Sequence, residues 1–461
     1  MPRPNVTFMI ADDHRHDAIH AFGNPDVQTP VLDALAARGV SFRRAYTMGG
    51  MVGAVCVPSR AALLTGTNPF RASIRQLPGD GPGSLTINPE PALLPATLRG
   101  AGYHTYGVGK WHNDKGSFTR GFAGGARLFF GGMSDQWRVP TFDYDPTGQY
   151  PAEGRQIRDQ FSSELFGDAS VAFLRNYMDD EPYFLYVAFT APHDPRTAPA
   201  EFAALYDPQR VTLPANFLAE HPFDNGELRV RDEVLAPFPR TVEVIRRHLA
   251  DYYAMISSLD AQIGRILAAL AERADAGNTI IVYTADHGLA VGQHGLLGKQ
   301  NLYEHSIGVP RIMAGPGLSA GKEVTALTHH ADVFPTLCAL TGVPIPASVE
   351  GQNLLPILTD AAAPRRDSVF AVYKDLQRAV VAGDWKLIRY YRSGDQTTGS
   401  DRRQLFHLAD DPWEMHDVST DSAQHDRLTR MEDELVAWQL RTGDFLGAQS
   451  PSGPTPGGRV R

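Results

Sequence analysis

The sequence predicts an α/β protein, a large mainly parallel sheet sandwiched by helices with a smaller C-terminal α+β domain, on three observations. Four short runs, residues 6–10, 103–108, 183–189 and 279–284, are apolar and rich in β-branched and aromatic side chains, the pattern of strands buried on both faces. Helical patterns separate them, as crossovers between parallel strands require. After residue 365 the strand-like pieces shorten and a single helical pattern follows, which reads as an α+β unit.

In chain order, the first strand leads to Thr29-Pro30, an N-cap and first-turn proline that open a helix ended by Gly39. A second helix starts near Cys56, with Pro58 in its first turn and residues 61–64 continuing it. Residues 115–160 are rich in Gly, Pro and aromatics without periodicity and read as long loops over a site, where substrate selectivity would sit. Trp137, Phe142 and Tyr144 in that stretch would either stack on a substrate ring or pack locally. Apolar residues at 242, 245, 249, 252, 256, 259, 263, 266 and 270 have the spacing of a long amphipathic helix covering one sheet face. Residues 333–341 read as a buried helix. Strands follow at 368–373, 379–382 and 385–391, with a helix over 426–442. The expected division is a catalytic domain over 1–365, an α+β subdomain over 366–449 and a flexible Pro/Gly-rich tail over 450–461.

Composition removes several functional classes. With 43% hydrophobic and 21% charged residues the chain is globular and neither disordered nor fibrous. A formal net charge of -9 without a basic stretch argues against nucleic acid as a partner, and an anionic substrate must be held by a local cluster of cations. No apolar run reads as a membrane span, so no membrane partner is expected. The first residues lead into a strand with no signal-peptide architecture. As written the chain is expected in the cytoplasm, and in the periplasm or outside the cell if a signal was trimmed. Its two cysteines, Cys56 and Cys338, cannot build a disulfide framework. Cys338, in the apolar 333–341 stretch, reads as core packing.

Ligand sites in open parallel sheets form beyond the carboxyl ends of the strands. Asp12-Asp13 follows the first predicted strand, Lys110-Trp-His112 the second, His193 the third and Asp286-His287 the fourth. Taken singly, an aspartate reads as a helix cap and His193 as a turn residue. Four such coincidences at one sheet edge read as a site. Carboxylates and an imidazole converging from separate strands supply the donors of a divalent cation, and oxygen outnumbering nitrogen favours calcium or magnesium over zinc. Cys56 opens a helix, where the dipole stabilises an oxyanion or thiolate, and Arg60 four residues on lies on the same face and can reach back. Of the 43 basic residues only six are lysines, yet Lys110 and Lys299 both fall in suspected site segments. Lys299 follows the glycine-bearing loop 292–298, which permits close approach to a ligand. A compact ammonium suits a charge that must touch a bound anion and a leaving group.

Cys56-Val-Pro-Ser-Arg60, extended by Leu64-Thr-Gly66, resembles the Cys-x-Pro-Ser-Arg signature of the type I sulfatases, formylglycine-dependent members of the alkaline-phosphatase-like superfamily. The resemblance runs through Asp12-Asp13, Gly109-Lys-Trp-His112, Pro192-His193, Asp286-His-Gly288 and Gly298-Lys299 to Leu405-Phe-His-Leu-Ala-Asp-Asp-Pro-Trp-Glu414, and so spans nearly the whole chain. It implies a sulfuric ester hydrolase, arylsulfatase-like, acting on a sulfated small molecule or carbohydrate. It also implies an oxidised Cys56 made by a formylglycine-generating enzyme, and Ca2+, with Mg2+ or Mn2+ as alternatives, held by Asp12, Asp13, Asp286, His287 and residue 56.

By the same resemblance the aldehyde hydrates to a geminal diol, and the metal and Arg60 stabilise one hydroxyl for attack on sulfur. Lys110 and Lys299 neutralise the sulfuryl oxygens. His193, with Lys299, protonates the departing alcohol, and His112 takes the proton from the second hydroxyl to release sulfate. Lys110, His193 and Lys299 thus also bind substrate. Many members carry asparagine where His287 stands, while choline-sulfatase-like and phosphonate monoester hydrolase-like enzymes carry histidine. A phosphonate monoester or phosphodiester hydrolase on the same scaffold is therefore the alternative. An unmodified cysteine hydrolase and a non-catalytic protein binding sulfated glycans stand further off.

Overall fold

The computed structural model describes residues 2–75, 85–360 and 362–446; the expected tail at 450–461 lies outside them. Eight strands build the large sheet: β1 (Asn5–Ala11), β2 (Val40–Phe42), β3 (His104–Lys110), β4 (Gly124–Phe129), β5 (Tyr183–Ala188), β6 (Thr279–Ala285), β7 (Arg311–Ala314) and β8 (Lys322–Val324). Their spatial order is β8-β2-β7-β6-β1-β5-β3-β4. β1 lies between β5 and β6 and is parallel to both, and β3 and β4 continue in the same direction. Only β7 among these eight is reversed. β1, β5 and β6 are buried at every residue. Burial on both faces forbids polar alternation, which is why these strands stand out as continuous apolar runs.

Helices flank the sheet. On one side α1 (Pro30–Arg38) and α3 (Ser162–Asn176) pack against α4 (Val242–Ala271), and α2 (Cys56–Thr65) packs against α5 (Val333–Thr341). Cys338 is fully buried in α5, in the main core. α4 is long and apolar enough by composition to cross a membrane, contrary to the expectation that no stretch is, but 67% of its apolar window is buried inside the protein. The start of α1 also departs from expectation. The Thr29 side chain caps no helical N–H. The Asp260 carboxylate of α4 instead accepts the backbone N–H groups of Val31 (3.0 Å) and Leu32 (2.8 Å), meeting the need of a helix N-terminus for acceptors from a neighbouring helix.

Residues 115–160, expected as loops, contain a helix over Lys115–Gly121 and the edge strand β4. The glycines there reflect close packing: a Cβ on Gly125 would lie 2.7 Å from the Gly107 carbonyl oxygen of β3.

The C-terminal part is an antiparallel sheet of β9 (Ser368–Tyr373), β10 (Gln377–Ala382), β11 (Trp385–Arg392) and β12 (Gly399–His407), which Gly49–Gly50 extends by pairing in parallel with β9. One face, with Phe370, Val372, Val380, Leu387 and Leu405, packs against Leu428, Met431, Leu435 and Trp438 of α6 (His425–Thr442). The opposite face, with Val369, Ala371, Tyr373, Val381 and Ile388, packs on Tyr46, Leu296, Leu302, Tyr303 and Ile307. The buried Lys386 ammonium joins the two parts, donating to Glu304 Oε1 (3.0 Å) and ion-paired with Glu414 Oε1 (2.8 Å). Glu414 Oε2 accepts the Glu304 N–H (2.7 Å). Burial pushes Glu414 up to about 7 against the pull of Lys386.

Burial likewise raises Asp260 from 3.8 to about 6, the two capping N–H groups opposing it. The folded state therefore prefers the neutral carboxyl, a contribution fully present below the unfolded value and lost as pH rises through 6. Asp260→Asn should gain on the wild type by up to about 3 kcal/mol between about pH 4 and pH 7.5, read as melting temperatures of both proteins at both pH values. A constant difference would show that Asp260 is not strained by ionisation.

Candidate active site

The backbone ladder continues past the strand ends and brings the first carboxylates together. Phe189 N–H donates to Ile10 C=O (2.9 Å), Asp12 N–H to Ala191 C=O (3.1 Å) and Asp286 N–H to Ala11 C=O (3.2 Å). Asp13 turns with φ +67°, a conformation aspartate tolerates better than most residues. Its N–H donates to Asp286 Oδ1 (3.1 Å). All three aspartates are buried.

α2 then delivers Cys56 at its first position and Arg60 one turn on, both buried. Arg60 does not hydrogen-bond Cys56 as its spacing suggests. Its Nε donates to Asp286 Oδ2 (2.9 Å) and its Nη1 to the Lys110 carbonyl (3.0 Å), and Nη2 lies 3.6 Å from Asp12 Oδ1. A rigid planar fork thus spans two carboxylates and the end of β3. Cys56 Sγ instead meets Lys299 Nζ (3.2 Å) and His287 Nε2 (3.3 Å). Lys299 also bonds both Asp13 oxygens (2.9 and 3.0 Å). His287 Nδ1 lies 3.2 Å from Asp13 Oδ1.

The remaining expected residues surround this cluster. Lys110 Nζ bonds Asp12 Oδ2 and the Gly132 carbonyl (2.6 Å). His193 Nε2 lies 3.7 Å from Asp13 Oδ2. Burial, reinforced by Lys299, pushes His193 down to about 4. His112 Nδ1 has no partner among the described residues, and burial followed by Lys110 and Arg60 holds its ring well below the usual range. Gly132 packs against that ring, since a Cβ there would lie 2.5 Å from His112 Nε2. Of the loop aromatics, Phe142 packs on Phe130 and Tyr150, and the Tyr144 hydroxyl donates to the Phe122 carbonyl (2.9 Å). Trp137 is 41% exposed and packs edge-on to Phe161.

Several residues that support the site escaped the sequence reading. The Ser59 hydroxyl and His330 Nε2 (3.0 Å) both donate to the Asp286 carbonyl. Glu233 accepts the N–H groups of Leu297 and Gly298 (both 2.9 Å), and so holds the loop before Lys299. Asp232 accepts from Gln300 Nε2 (2.8 Å) just after it. Asp194 pairs with Arg231 beside His193. Ser59 lay within the Cys56–Arg60 motif, and Asp194 stood next to His193; no local pattern marks His330, Glu233 or Asp232.

The donor set fits a divalent cation. One carboxylate oxygen each from Asp12, Asp13 and Asp286 lie within 4.8 Å of one another, as do donor atoms of Asp13, Cys56 and His287. Asp12 Oδ1 is buried without a hydrogen-bond partner among the described residues. Burial raises Asp12 more than Lys110 can offset, whereas at Asp286 burial is outweighed by Arg60, His287 and Lys110 together, which hold it well below the carboxylate range. A cation beside Asp12 would satisfy the orphaned oxygen and favour the ionised form.

Fold and site define an ester hydrolase of alkaline-phosphatase-like architecture. The family model described as Sulfatase matches residues 4–343, and that described as N-sulphoglucosamine sulphohydrolase, C-terminal, matches residues 292–441. Relatives include an N-acetylglucosamine-6-O-sulfatase from Bacteroides thetaiotaomicron, 24% identical, with 90% of this chain and 82% of that protein covered. A choline-sulfatase from Rhizobium meliloti is 28% identical, with 97% and 89% covered. A solved sulfatase-fold structure in complex with its substrate D-glucosamine-2-N,6-O-disulfate superposes with a TM-score of 0.79 at 22% identity, covering 97% of this chain and all of that one (100%). Phosphonate monoester hydrolase of Agrobacterium radiobacter superposes with a TM-score of 0.74 at 21% identity, with 95% and 96% covered. The chain belongs to the sulfatase family, the type I branch of the alkaline-phosphatase-like superfamily, and is a sulfuric ester hydrolase acting on a sulfated substrate. That family is metal-dependent and uses a formylglycine derived from cysteine; this chain carries the cysteine and the acidic cluster.

Calcium added to chelator-treated protein should raise its melting temperature, a ligand at 100 times its Kd stabilising by about 2.7 kcal/mol. Asp286→Asn should lose most of that rise. A melting temperature indifferent to calcium, magnesium and manganese alike would contradict the metal site.

Proposed function

We propose that the chain hydrolyses sulfate monoesters of a small molecule or carbohydrate, with Cys56 converted to formylglycine as nucleophile. In this reading Asp12, Asp13, Asp286, His287 and the modified residue 56 hold Ca2+, with Mg2+ or Mn2+ as alternatives. The observation that carries it is the convergence of three buried carboxylates, one of them with an unpartnered oxygen, on the cysteine at the start of α2. A formylglycine-generating enzyme is the partner that maturation requires.

When present, the hydrated aldehyde supplies two hydroxyls on one carbon, one to attack sulfur and one to drive release of sulfate, and the metal supplies Lewis-acid charge. Arg60 fixes Asp286 and the end of β3, so ligand and Lys110 keep one spacing. The Lys110 and Lys299 ammonium groups, now balanced against Asp12 and Asp13, are the charges available to face sulfuryl oxygens. His193 gives a proton from Nε2 to the departing alcohol oxygen, and His112 accepts one from residue 56 at its unpartnered Nδ1.

Burial pushes the Cys56 thiol well up despite Lys299, so an unmodified cysteine nucleophile would need the cation to form its thiolate. His287 and the likeness to phosphonate monoester hydrolases favour phosphonate monoesters or phosphodiesters as the second reading.

Protein co-expressed with a formylglycine-generating enzyme and loaded with calcium should turn over an aryl sulfate in preference to a matched phosphodiester and phosphonate monoester. Cys56→Ala should lower kcat by on the order of 10^4-fold or more. Dominance of a phosphorus ester would move the assignment to the second reading. Cys56→Ser should bind substrate yet stall after at most one turnover, and sustained turnover by it would overturn the need for two hydroxyls.

A further inference from the structure

Asp194 follows His193 on the loop leaving β5, and it is buried to 8% exposure. Arg231 grips its carboxylate with two hydrogen bonds, Nη1 to Oδ2 and Nη2 to Oδ1 (3.0 Å). Burial opposes ionisation of Asp194, but the Arg231 bonds and the nearby His193 outweigh it and hold the carboxyl well below the usual range. Asp194 Oδ1 lies 3.3 Å from His193 Nδ1, and the Asp194 carbonyl lies 2.8 Å from the same nitrogen. A carbonyl oxygen can only accept, so Nδ1 carries a hydrogen. Nε2 is thereby left facing the cluster, 3.7 Å from Asp13 Oδ2.

The surroundings hold this arrangement in place. Gln136 Nε2 donates to the His193 carbonyl (2.8 Å). Arg231 also pairs with Asp232 (2.5 Å), which in turn accepts from Gln300 next to Lys299. One partly exposed arginine therefore ties the loop of His193 to the loop of Lys299.

We propose that Asp194 is the positioning residue for His193: its main-chain carbonyl takes the Nδ1 hydrogen, and its carboxylate, anchored by Arg231, holds that carbonyl and the ring so that Nε2 meets the leaving-group oxygen. This rests on the reading of His193 as proton donor. In the complex the anionic ester adds negative charge beside His193, and Nε2 takes up a proton from solvent; as the S–O ester bond breaks, its electron pair stays on the alcohol oxygen and that Nε2 proton moves to it. The ring is left neutral, with Nδ1 still donating its hydrogen to the Asp194 carbonyl. Proton donation matters most when the departing alkoxide is basic, so the signature of Asp194 is a dependence on the leaving group.

The test measures kcat and KM for matched aryl sulfates, from 4-nitrophenyl sulfate to 4-methylphenyl sulfate, on formylglycine-converted, calcium-loaded wild type, Asp194→Asn, Arg231→Gln and His193→Ala. Asp194→Asn should lower kcat for the 4-methylphenyl ester by about 100-fold and for the 4-nitrophenyl ester only a few-fold, with KM little changed. His193→Ala should show the same steepening, and Arg231→Gln a weaker form of it that carries the test if Asp194→Asn fails to fold. A uniform loss across the series in the Asp194 and Arg231 variants, or no loss, while His193→Ala steepens, overturns the role of Asp194 alone. A flat response in His193→Ala removes the proton-donor reading and this proposal with it. A wild type inert on every sulfate removes the proposed function itself.

Discussion

Three carboxylates meeting inside a protein must be neutralised, and the site is organised around that requirement. Asp12, Asp13 and Asp286 sit at the carboxyl edge of neighbouring parallel strands, held side by side by the continuing backbone ladder. Their mutual repulsion is met by Lys110, Lys299 and Arg60, all buried. The balance is uneven: Arg60 secures Asp286, whereas Asp12 keeps an unpartnered oxygen. In the proposed reading a divalent cation would resolve that imbalance, and the lysines would then become charges available to an anionic substrate. The same requirement concentrates three buried cations at one sheet edge of a chain whose net charge is -9.

Placement of the cations depends on parts of the fold remote from the carboxylates. Lys299 lies on a loop fixed before it by Glu233 and after it by Asp232 through Gln300. A few residues further on, Glu304 is locked to Lys386 of the C-terminal sheet and to Glu414 in the turn that follows it. That sheet thereby buttresses the segment carrying Lys299. Its edge strand at Gly49–Gly50 precedes Cys56 by a few residues, so it also braces the approach to the nucleophile. The motif at 405–414 is accordingly a structural joint, with Glu414 as its working residue.

Legibility of the site varied residue by residue. Asp12, Asp13, Asp286 and His287 were readable because a strand buried on both faces leaves an unbroken apolar run, and the polar residue that ends it is conspicuous. Cys56 was readable because its helix-start motif is contiguous. Arg60 was found for the right position and the wrong partner: four-residue spacing puts it on the face of Cys56, but the carboxylates that attract it come from other strands, and a guanidinium takes the stronger charge. β12 escaped because its first half is polar and exposed, and β4 because its glycines, required by the close approach to β3, imitate a loop.

The sequence by itself determined the buried strands, the long amphipathic helix, the nucleophile motif and the residue types waiting at the sheet edge. Each leaves a local imprint through burial periodicity or contiguous chemistry. Only the tertiary structure decided which charge neutralises which, as in Arg60 with Asp286, Lys299 with Asp13, Asp260 at the start of α1 and Arg231 on Asp194. These partners lie tens to hundreds of positions apart in the chain. Electrostatic pairing is set by distance and burial in space, and nothing in the spacing along a chain specifies either.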